Sequence, residues 1–575
     1  MKKAVNIARQ AEVYDAIVVG SGITGGWAAK ELCEKGLKTL VLERGRQVEH
    51  IVDYPTEHRP PWEYALRGRV TPAEAQREHE VQSLCYAFDE STKHFFINDR
   101  ENPYIQDKPF NWIRGNHVGG RSLMWGRQCY RWSEMDFVAN DKEGIGVPWP
   151  IGYADIAPWY DYVEKFVGVS GEPLGLTHLP DSQFLPPMEL SAGEKMLKAG
   201  IEAAYPDRTL TIGRVAVLTQ ELNGRAACHY CGVCQRGCST GSYFSSQSAT
   251  LPAAIATGNM TLRPDSHVHS IIYDEATGKA IGVRVVDAHS KEMIEFNARV
   301  VFMCASTLGS TQVMLNSKSS SFPDGIANSS GALGRYLMDH HYQISGQGRM
   351  EGMMDKYHYG NRPNGFYIPR FRNLDEATKM DDFVRGYGIQ GRVSRPGWGR
   401  GHGMEGFGAD LKNSLRDPGP WELSLNVFGE ALPHVDNRVY LDASETDDWG
   451  IPLLHINCEW KENEYAMRKD MVDGVAEMLI NAGVKDVTVR DRYLEEGYGA
   501  PGLGIHEMGT ARMGDDPQSS VLNKWNQAHD VPNLFVTDGS CMTSSACQNP
   551  SITYMALTAR AVDYAVSEMK NGNLG

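Results

Sequence analysis

The sequence predicts an α/β protein, a doubly wound sheet that binds a dinucleotide, interrupted by an inserted α+β domain on a mixed or antiparallel sheet. Three observations predict it. Tyr14 to Glu43 read as strand, glycine turn, helix and strand. Arg299-Val-Val-Phe-Met-Cys-Ala305 is a further apolar strand that turns at Ser306 into a helical stretch reaching Ser317. Between Tyr336 and Arg490 the pattern shifts to strands and one long helical segment, as expected of an insertion. On this reading residues 1–50, 110–135, 224–335 and 495–575 form the dinucleotide-binding domain. Residues 51–109, 136–223 and 336–494 form the substrate domain and its excursions.

The first unit, Tyr14-Asp-Ala-Ile-Val-Val-Gly20-Ser-Gly22-Ile-Thr-Gly25-Gly26, leads to a helix ending near Glu34 and a strand Thr39-Leu-Val-Leu-Glu43. This is a Rossmann-like fingerprint. Gly20 permits the tight turn, Gly22 lets the backbone approach a pyrophosphate, and Gly25 lets helix and strand pack closely. The helix N-terminus offers free N–H groups and the positive end of its dipole. Glu43, eighteen residues past Gly25, is placed to accept hydrogen bonds from ribose hydroxyls.

From Val48 to Asn111 the chain is polar and irregular, broken by Pro55, Pro60, Pro61 and Pro103, and reads as an excursion. A glycine cluster follows, Gly115-Asn116-His-Val-Gly119-Gly120-Arg-Ser122-Leu-Met124-Trp125, denser in glycine than a plain turn requires. Met260 to Arg263, Val268 to Tyr273 and Ala280 to Asp287 read as strands around Gly278, a hairpin-rich piece. Gly386 to Gly408 carries nine glycines in 23 residues, too many for regular structure, so a mobile lid or an ordered surface excursion is expected there. Leu425 to Glu430 and Arg438 to Asp442 read as strands, and Glu462 to Ala482 as a helix.

A chain of 575 residues exceeds what one hydrophobic core serves. With 41% hydrophobic and 22% charged residues it fits a globular protein, and no apolar run is long enough to span a bilayer. Lys and Arg number 57 against 72 Asp and Glu; the net charge of -15 repels phosphate backbones, so nucleic acid is not an expected partner. The opening MKKAVNIARQ lacks the apolar core of a secretory signal, so export would depend on a partner's signal.

Seven of the eleven cysteines are scattered and read as packed thiols. The other four, Cys228, Cys231, Cys234 and Cys238, fall within eleven residues and read as metal ligands. Their CxxCxxCxxxC spacing is that of ferredoxin-type iron–sulfur loops, with tetrahedral zinc as the alternative. Ser239 stands where such loops usually have proline.

The C-terminal segment carries Gly504-Ile-His506-Glu-Met-Gly-Thr510, then Asp538-Gly539-Ser540, then Asn549-Pro550-Ser551, and closes with an amphipathic helical stretch. Alone, His506 reads equally as a buried histidine and Asn549 as a helix N-cap before proline. As a general base an imidazole that is neutral near the operating pH suits an alcohol proton, and a neighbouring amide N–H would hold the same oxygen.

Together these pieces resemble the glucose-methanol-choline (GMC) family of flavoenzymes over nearly the whole chain. The blocks Gly20/Gly22/Gly25 with Glu43, Gly115-Asn116 with Gly119-Gly120, Cys304-Ala-Ser-Thr-Leu-Gly-Ser, Gly334-Arg-Tyr-Leu-Met-Asp339-His340, and His506, Asp538-Gly539 and Asn549-Pro550 stand in family order. The resemblance implies FAD, held also by Arg44, Ser122, Val268 and Ser551, with His506 and Asn549 facing the flavin. Asn-Pro and the Gly119-to-Trp125 stretch are most similar to pyranose oxidases and bacterial sugar dehydrogenases. Met124 stands where pyranose oxidases often link histidine to flavin, so FAD is expected to be non-covalent.

The cysteine run resembles that of iron–sulfur-containing sugar and glucoside 3-dehydrogenase subunits. This implies a 3Fe-4S or 4Fe-4S cluster, with Cys231 the least certain ligand. The expected reaction is oxidation of a pyranose or glycoside ring hydroxyl, C3 favoured, with electrons leaving through the cluster. A small subunit carrying an export signal and a cytochrome c or quinone acceptor would be the partners, with periplasmic placement favoured over cytoplasmic. The alternative is a pyranose-oxidase-like enzyme using O2 with a structural metal. A non-enzymatic binding protein is disfavoured by the pairing of His506 with Asn549.

Overall fold

Ala16 to Val19, Leu40 to Leu42 and Val300 to Met303 are all buried, as strands covered on both faces must be. In the computed structural model, which describes residues 7–357, 360–495 and 497–574, they lie at the centre of the larger sheet. Its strands β1 (Ile7–Val19), β2 (Thr39–Leu42), β3 (Met260–Arg263), β4 (Ser266–Asp274), β5 (Lys279–Asp287) and β6 (Met293–Met303) run in the spatial order β3-β2-β1-β6-β5-β4. β1 pairs in parallel with β2 and β6, and β4, β5 and β6 form an antiparallel meander. Met260 to Arg263, expected in the hairpin piece, is instead the parallel edge strand beyond β2. Pro264 and Asp265, the latter at φ 52°, turn the chain between it and β4. Helices α1 (Ile23–Glu34) and α2 (Thr307–Asn316) follow β1 and β6 at their carboxyl ends.

The second sheet is antiparallel. β7 (His341–Met350), β8 (Phe366–Ile368), β9 (Tyr387–Ser394), β10 (Trp421–Gly429) and β11 (Lys485–Asp491) lie in the order β11-β7-β10-β9-β8, with the short strand Thr211–Ile212 beyond β8. Met467, Met471, Val475 and Met478 of helix α3 (Glu462–Asn481) pack in one buried cluster with Ile344, Trp421, Leu425 and Val427 of the sheet.

The glycine-rich stretch is corrected by this sheet: its first third is β9, an interior strand. A Cβ on Gly388 would meet the Tyr367 hydroxyl at 2.5 Å, and one on Gly391 would meet the Phe366 ring at 2.5 Å and Leu425 at 2.7 Å. Glycine here makes room for large side chains of the flanking strands. Only beyond Ser394 does the chain run irregularly over the surface, where Trp398 and Phe407 are exposed.

Downstream, β12 (Leu534–Val536) returns to the first sheet parallel to β6. Helix α4 (Ser551–Lys570) closes the structure against α1 and the helix Tyr153–Val167. The amphipathic expectation for α4 is exceeded, since thirteen of its twenty residues are buried. No helix among the described residues is long and apolar enough to cross a membrane.

Candidate active site

The turn after β1 separates the roles of its glycines. Gly20 holds φ 99°, and a Cβ there would sit 2.4 Å from the Cys304 carbonyl oxygen; one on Gly25 would sit 1.9 Å from the Gly20 oxygen. Both are steric requirements of strand and helix packing. Gly22 meets nothing nearer than Gly119 O at 4.0 Å and opens on a cavity of about 560 Å³. Gly25, expected among the cofactor contacts, does not line that cavity and acts through packing. No side chain caps α1, so its first N–H groups remain for a ligand.

Glu43 follows β2 and is buried. Its Oε2 accepts from Ser21 N–H at 3.1 Å and Ser21 Oγ at 2.6 Å, and its Oε1 accepts from Gly45 N–H at 2.9 Å. Burial pushes its carboxyl above the usual range against these bonds. The second glycine loop meets the first: Gly119 N–H donates to Ser21 Oγ at 2.8 Å, and Ser122 Oγ donates to Gly119 O at 2.6 Å.

Gly20, Glu43, Arg44, Gly115, Asn116, Gly120 and Ser122 border this cavity, joined by Val268 of β4 and Ser551 of α4. Asp538 and Gly539, from the turn after β12, line it too, and Asp538 accepts from Ser310 Oγ at 2.5 Å. Arg44, Arg114 and Tyr554 line the same cavity, and Arg44 Nε, Arg114 Nε and the Tyr554 hydroxyl are buried without partners. Such orphaned donors fit a ligand rich in oxygen acceptors.

His506 and Asn549 come together in this cavity. Asp339 fixes the approach by accepting backbone N–H bonds from Gly502 at 2.8 Å, Gly504 at 2.9 Å and His506 at 2.9 Å. The His506 ring lies with Nδ1 2.8 Å from His340 Nδ1, and with Nε2 3.4 Å from Asn549 Nδ2. Gln390 of β9 donates from Nε2 to Asn549 Oδ1 at 2.6 Å. Helix α4 begins at Ser551 with Pro550 in the capping position, so the N-cap reading of Asn549 fails and its side chain faces His506. Behind them Arg121 grips buried Glu507 through two bonds of 3.2 and 2.9 Å. Burial first, then His340 and Arg121, pull the His506 pKa well below the ordinary imidazole value. The direction of this shift favours the neutral imidazole, the form a proton acceptor needs.

Beyond the pair the cavity is bordered by Gln128, Asn364, Ser424 and Asn426, by Arg127, and by the stacked rings of Tyr342 and Phe428, 4.7 Å apart. Asn364 Oδ1 is buried without a partner.

Two models described as GMC oxidoreductase match the chain, one over residues 14–342 and one over residues 433–558. The chain belongs to the GMC oxidoreductase family. This GMC protein is 29% identical to the 2-methyl-1,2-propanediol dehydrogenase of Mycolicibacterium austroafricanum, over 96% of this chain and 95% of that protein. It is 24% identical to the fructose dehydrogenase large subunit of Gluconobacter japonicus, over 97% and 98%. Among solved structures it resembles pyridoxine 4-oxidase from Mesorbium loti with a TM-score of 0.55 at 16% identity, covering 96% of this chain and 99% of that one, a likeness of fold alone. Membership makes this a flavin-dependent oxidoreductase of sugar or alcohol CH–OH groups and implies FAD, which the open Gly22 and the orphaned donors fit.

The cysteine loop of this GMC chain is clamped from two sides. Ser239 donates from N and Oγ to Glu57 at 2.7 and 3.0 Å, and Asn361 N–H donates to Tyr230 O at 2.7 Å. Burial pushes the Cys228 thiol up to about 11 and raises that of Cys234, and the neighbouring cysteines push both further in the same direction. Among the described residues no three of these sulfurs lie within 4.8 Å of one another. Sulfurs around one tetrahedral zinc would stand about 3.8 Å apart. The four cysteines therefore show neither a zinc-like nor a cluster-like arrangement in this structure. Gln235, inside the loop, lines the large cavity, as does Arg127, whose charge acts on Cys234 and Cys238.

Sequence reasoning missed Gln390, hidden in a glycine run read as lid or excursion. It also missed the work of Asp339 and His340, quoted as a family block without a role. The polar residues of the substrate sheet, Asn364, Ser424 and Asn426, carry no sequence signal, because what selects them is a cavity formed by segments far apart in the chain.

Proposed function

We propose that this GMC protein is an FAD-dependent dehydrogenase that oxidises a secondary ring hydroxyl of a pyranose sugar or glycoside, C3 favoured, to a keto sugar. The observation that carries the reading is the pairing of His506 Nε2 with the Asn549 amide at 3.4 Å, in a cavity bordered by amides, a hydroxyl, the guanidinium groups of Arg127 and Arg392, and aromatic faces. Many donors and acceptors with stacked rings suit a polyol, whose hydroxyls need partners and whose C–H faces need apolar contact. FAD, when bound, supplies the two-electron acceptor that takes hydride from the carbinol carbon.

His506 Nε2 accepts the hydroxyl proton as the carbon–hydrogen bond breaks, and the carbonyl forms with nothing else added. A depressed pKa suits this role, since the hydroxyl becomes strongly acidic only as hydride departs. Asn549 Nδ2 donates to the same oxygen, orienting the carbon and stabilising its alkoxide character. Gln390 holds the Asn549 carbonyl away, so the amide presents its N–H side.

For the electrons' exit we infer an iron–sulfur cluster of three or four irons, held by Cys228, Cys234 and Cys238 or by these three and Cys231. The ferredoxin-type spacing and the approach of Gln235 to the cavity support it. A small subunit with an export signal, a cytochrome c or quinone acceptor and a periplasmic setting complete the proposal. The fructose dehydrogenase likeness, to a protein named as a large subunit, supports the small-subunit part.

Anaerobic mixing with methyl glucosides, free sugars and 2-methyl-1,2-propanediol, together with iron and zinc analysis, tests it. Flavin bleaching by a glycoside and bound iron are expected. Bleaching by the diol alone would overturn the sugar assignment, and peroxide formation with no iron would favour the oxidase.

A further inference from the structure

We infer that His340 is a positioning residue that fixes His506 as the Nδ1–H tautomer, leaving the Nε2 lone pair for the substrate hydroxyl. This rests on His506 acting as the base. The chain of bonds has fixed ends. At one end, His340 Nε2 makes a short contact with the Ala546 carbonyl oxygen, which can only accept, so the proton of His340 sits on Nε2. His340 is 1% exposed, and burial pulls its pKa to about 4, so it carries only that proton. Its Nδ1 is then an acceptor. His506 Nδ1, 2.8 Å away, must donate to it, and His506 Nε2 is left unprotonated.

The other end agrees independently. Gln390 donates to Asn549 Oδ1, so the face that Asn549 turns to His506 is its NH2 group, which requires an acceptor at Nε2. The opposite tautomer would set two lone pairs against each other across the Nδ1 pair and an N–H against an NH2. The nearby charges do not compete for these ring nitrogens. Asp339 is spent on three backbone N–H groups, and Arg121 and Glu507 are paired with each other. Phe428 covers both imidazoles, with ring centroids 6.4 Å from each.

The test uses the FAD-loaded enzyme with a reducing glycoside under anaerobic conditions. His340→Leu should slow the limiting rate of flavin reduction by at least about tenfold, while FAD content and the apparent sugar Kd stay within about twofold. His340→Gln, whose carbonyl can accept from His506 and whose NH2 can reach Ala546, should recover to within about threefold of wild type. In a His506→Ala background His340→Leu should add no further loss. A Leu variant as fast as wild type, or a Gln variant as slow as Leu with melting temperature and FAD intact, would overturn the inference. Where the Leu variant does not fold, 15N spectra of histidine-labelled wild type decide. A proton on Nδ1 of His506 is expected, and one on Nε2 refutes the assignment. That readout needs no turnover, so it stands apart from the His506→Ala rate, which tests the base itself.

Discussion

Gln390 and Asn549 are joined by a 2.6 Å hydrogen bond that crosses from the substrate sheet to the segment leading into α4. An asparagine amide can present either its oxygen or its NH2, and this bond decides which one faces His506.

Replacing Gln390 therefore reaches the chemistry without touching the base. Gln390→Leu should lower the limiting rate of flavin reduction several-fold and raise the sugar KM. Gln390→Glu, equal in size but acceptor-only when ionised, should be the more damaging because it opposes the Asn549 oxygen. Stopped-flow traces of the two variants check the order; Glu faster than Leu would contradict it.

His506→Ala should keep FAD and lose flavin reduction by about a hundredfold or more, since the proton acceptor is gone and the cradle is whole. Asn549→Ala should cost less, about tenfold, because an orienting donor is lost while the base remains. Single-turnover rates with cofactor content measured in parallel distinguish these from cofactor loss.

The pH profile has a definite sign. Burial, His340 and Arg121 hold the His506 pKa well below 6.5, so the neutral base persists as pH falls through that value. The acid limb of flavin reduction should lie well to the acid side of an ordinary histidine's. An inflection near 7 would report Asp339, which burial and Glu507 push up to about 7. Rates collected from pH 5 to 8 check this; a half-loss at 6.5 would show an unperturbed imidazole.

Gly391→Ala should destabilise the protein by about 1–3 kcal/mol, because its methyl would land 2.5 Å from Phe366 and 2.7 Å from Leu425. Gly399→Ala, with nothing within 4 Å, should be neutral. Melting temperatures of the pair measure whether this glycine run is sheet interior or loose surface at each point.

Acid or heat precipitation should release free FAD, since Met124, which lines the cavity, carries a thioether that is not expected to form a covalent link to flavin. Flavin fluorescence remaining with the denatured polypeptide would overturn this.

How much was legible follows from how local each signal is. The βαβ unit from Tyr14 to Glu43 is encoded within thirty residues, and its glycines act on their immediate neighbours, so the spacing alone gave Gly20, Gly22 and Glu43 their places. β9 is not legible from glycine content, which describes the segment and not the strands beside it. The cause lies in Phe366, Tyr367 and Leu425 on adjoining strands. His506 and Asn549 were found by motif, but the depressed pKa of His506 depends on burial and on Arg121, far away in sequence. The cysteine run shows the reverse case, a clear spacing whose sulfurs stay unassembled.

The place of β12 beside β6 has a consequence for how the chain folds. β1 and β2 of the parallel core lie near the start of the chain, yet β12, α4 and both His506 and Asn549 come from far downstream. Such long-range closure costs loop entropy before any contact rewards it, which slows folding and leaves residues 301–303 of β6 without their β12 partner until late. A ribosome-bound chain would thus hold the nucleotide cradle's first wall well before it owns any proton acceptor. Early intermediates should bind chaperones through that unpaired stretch of β6.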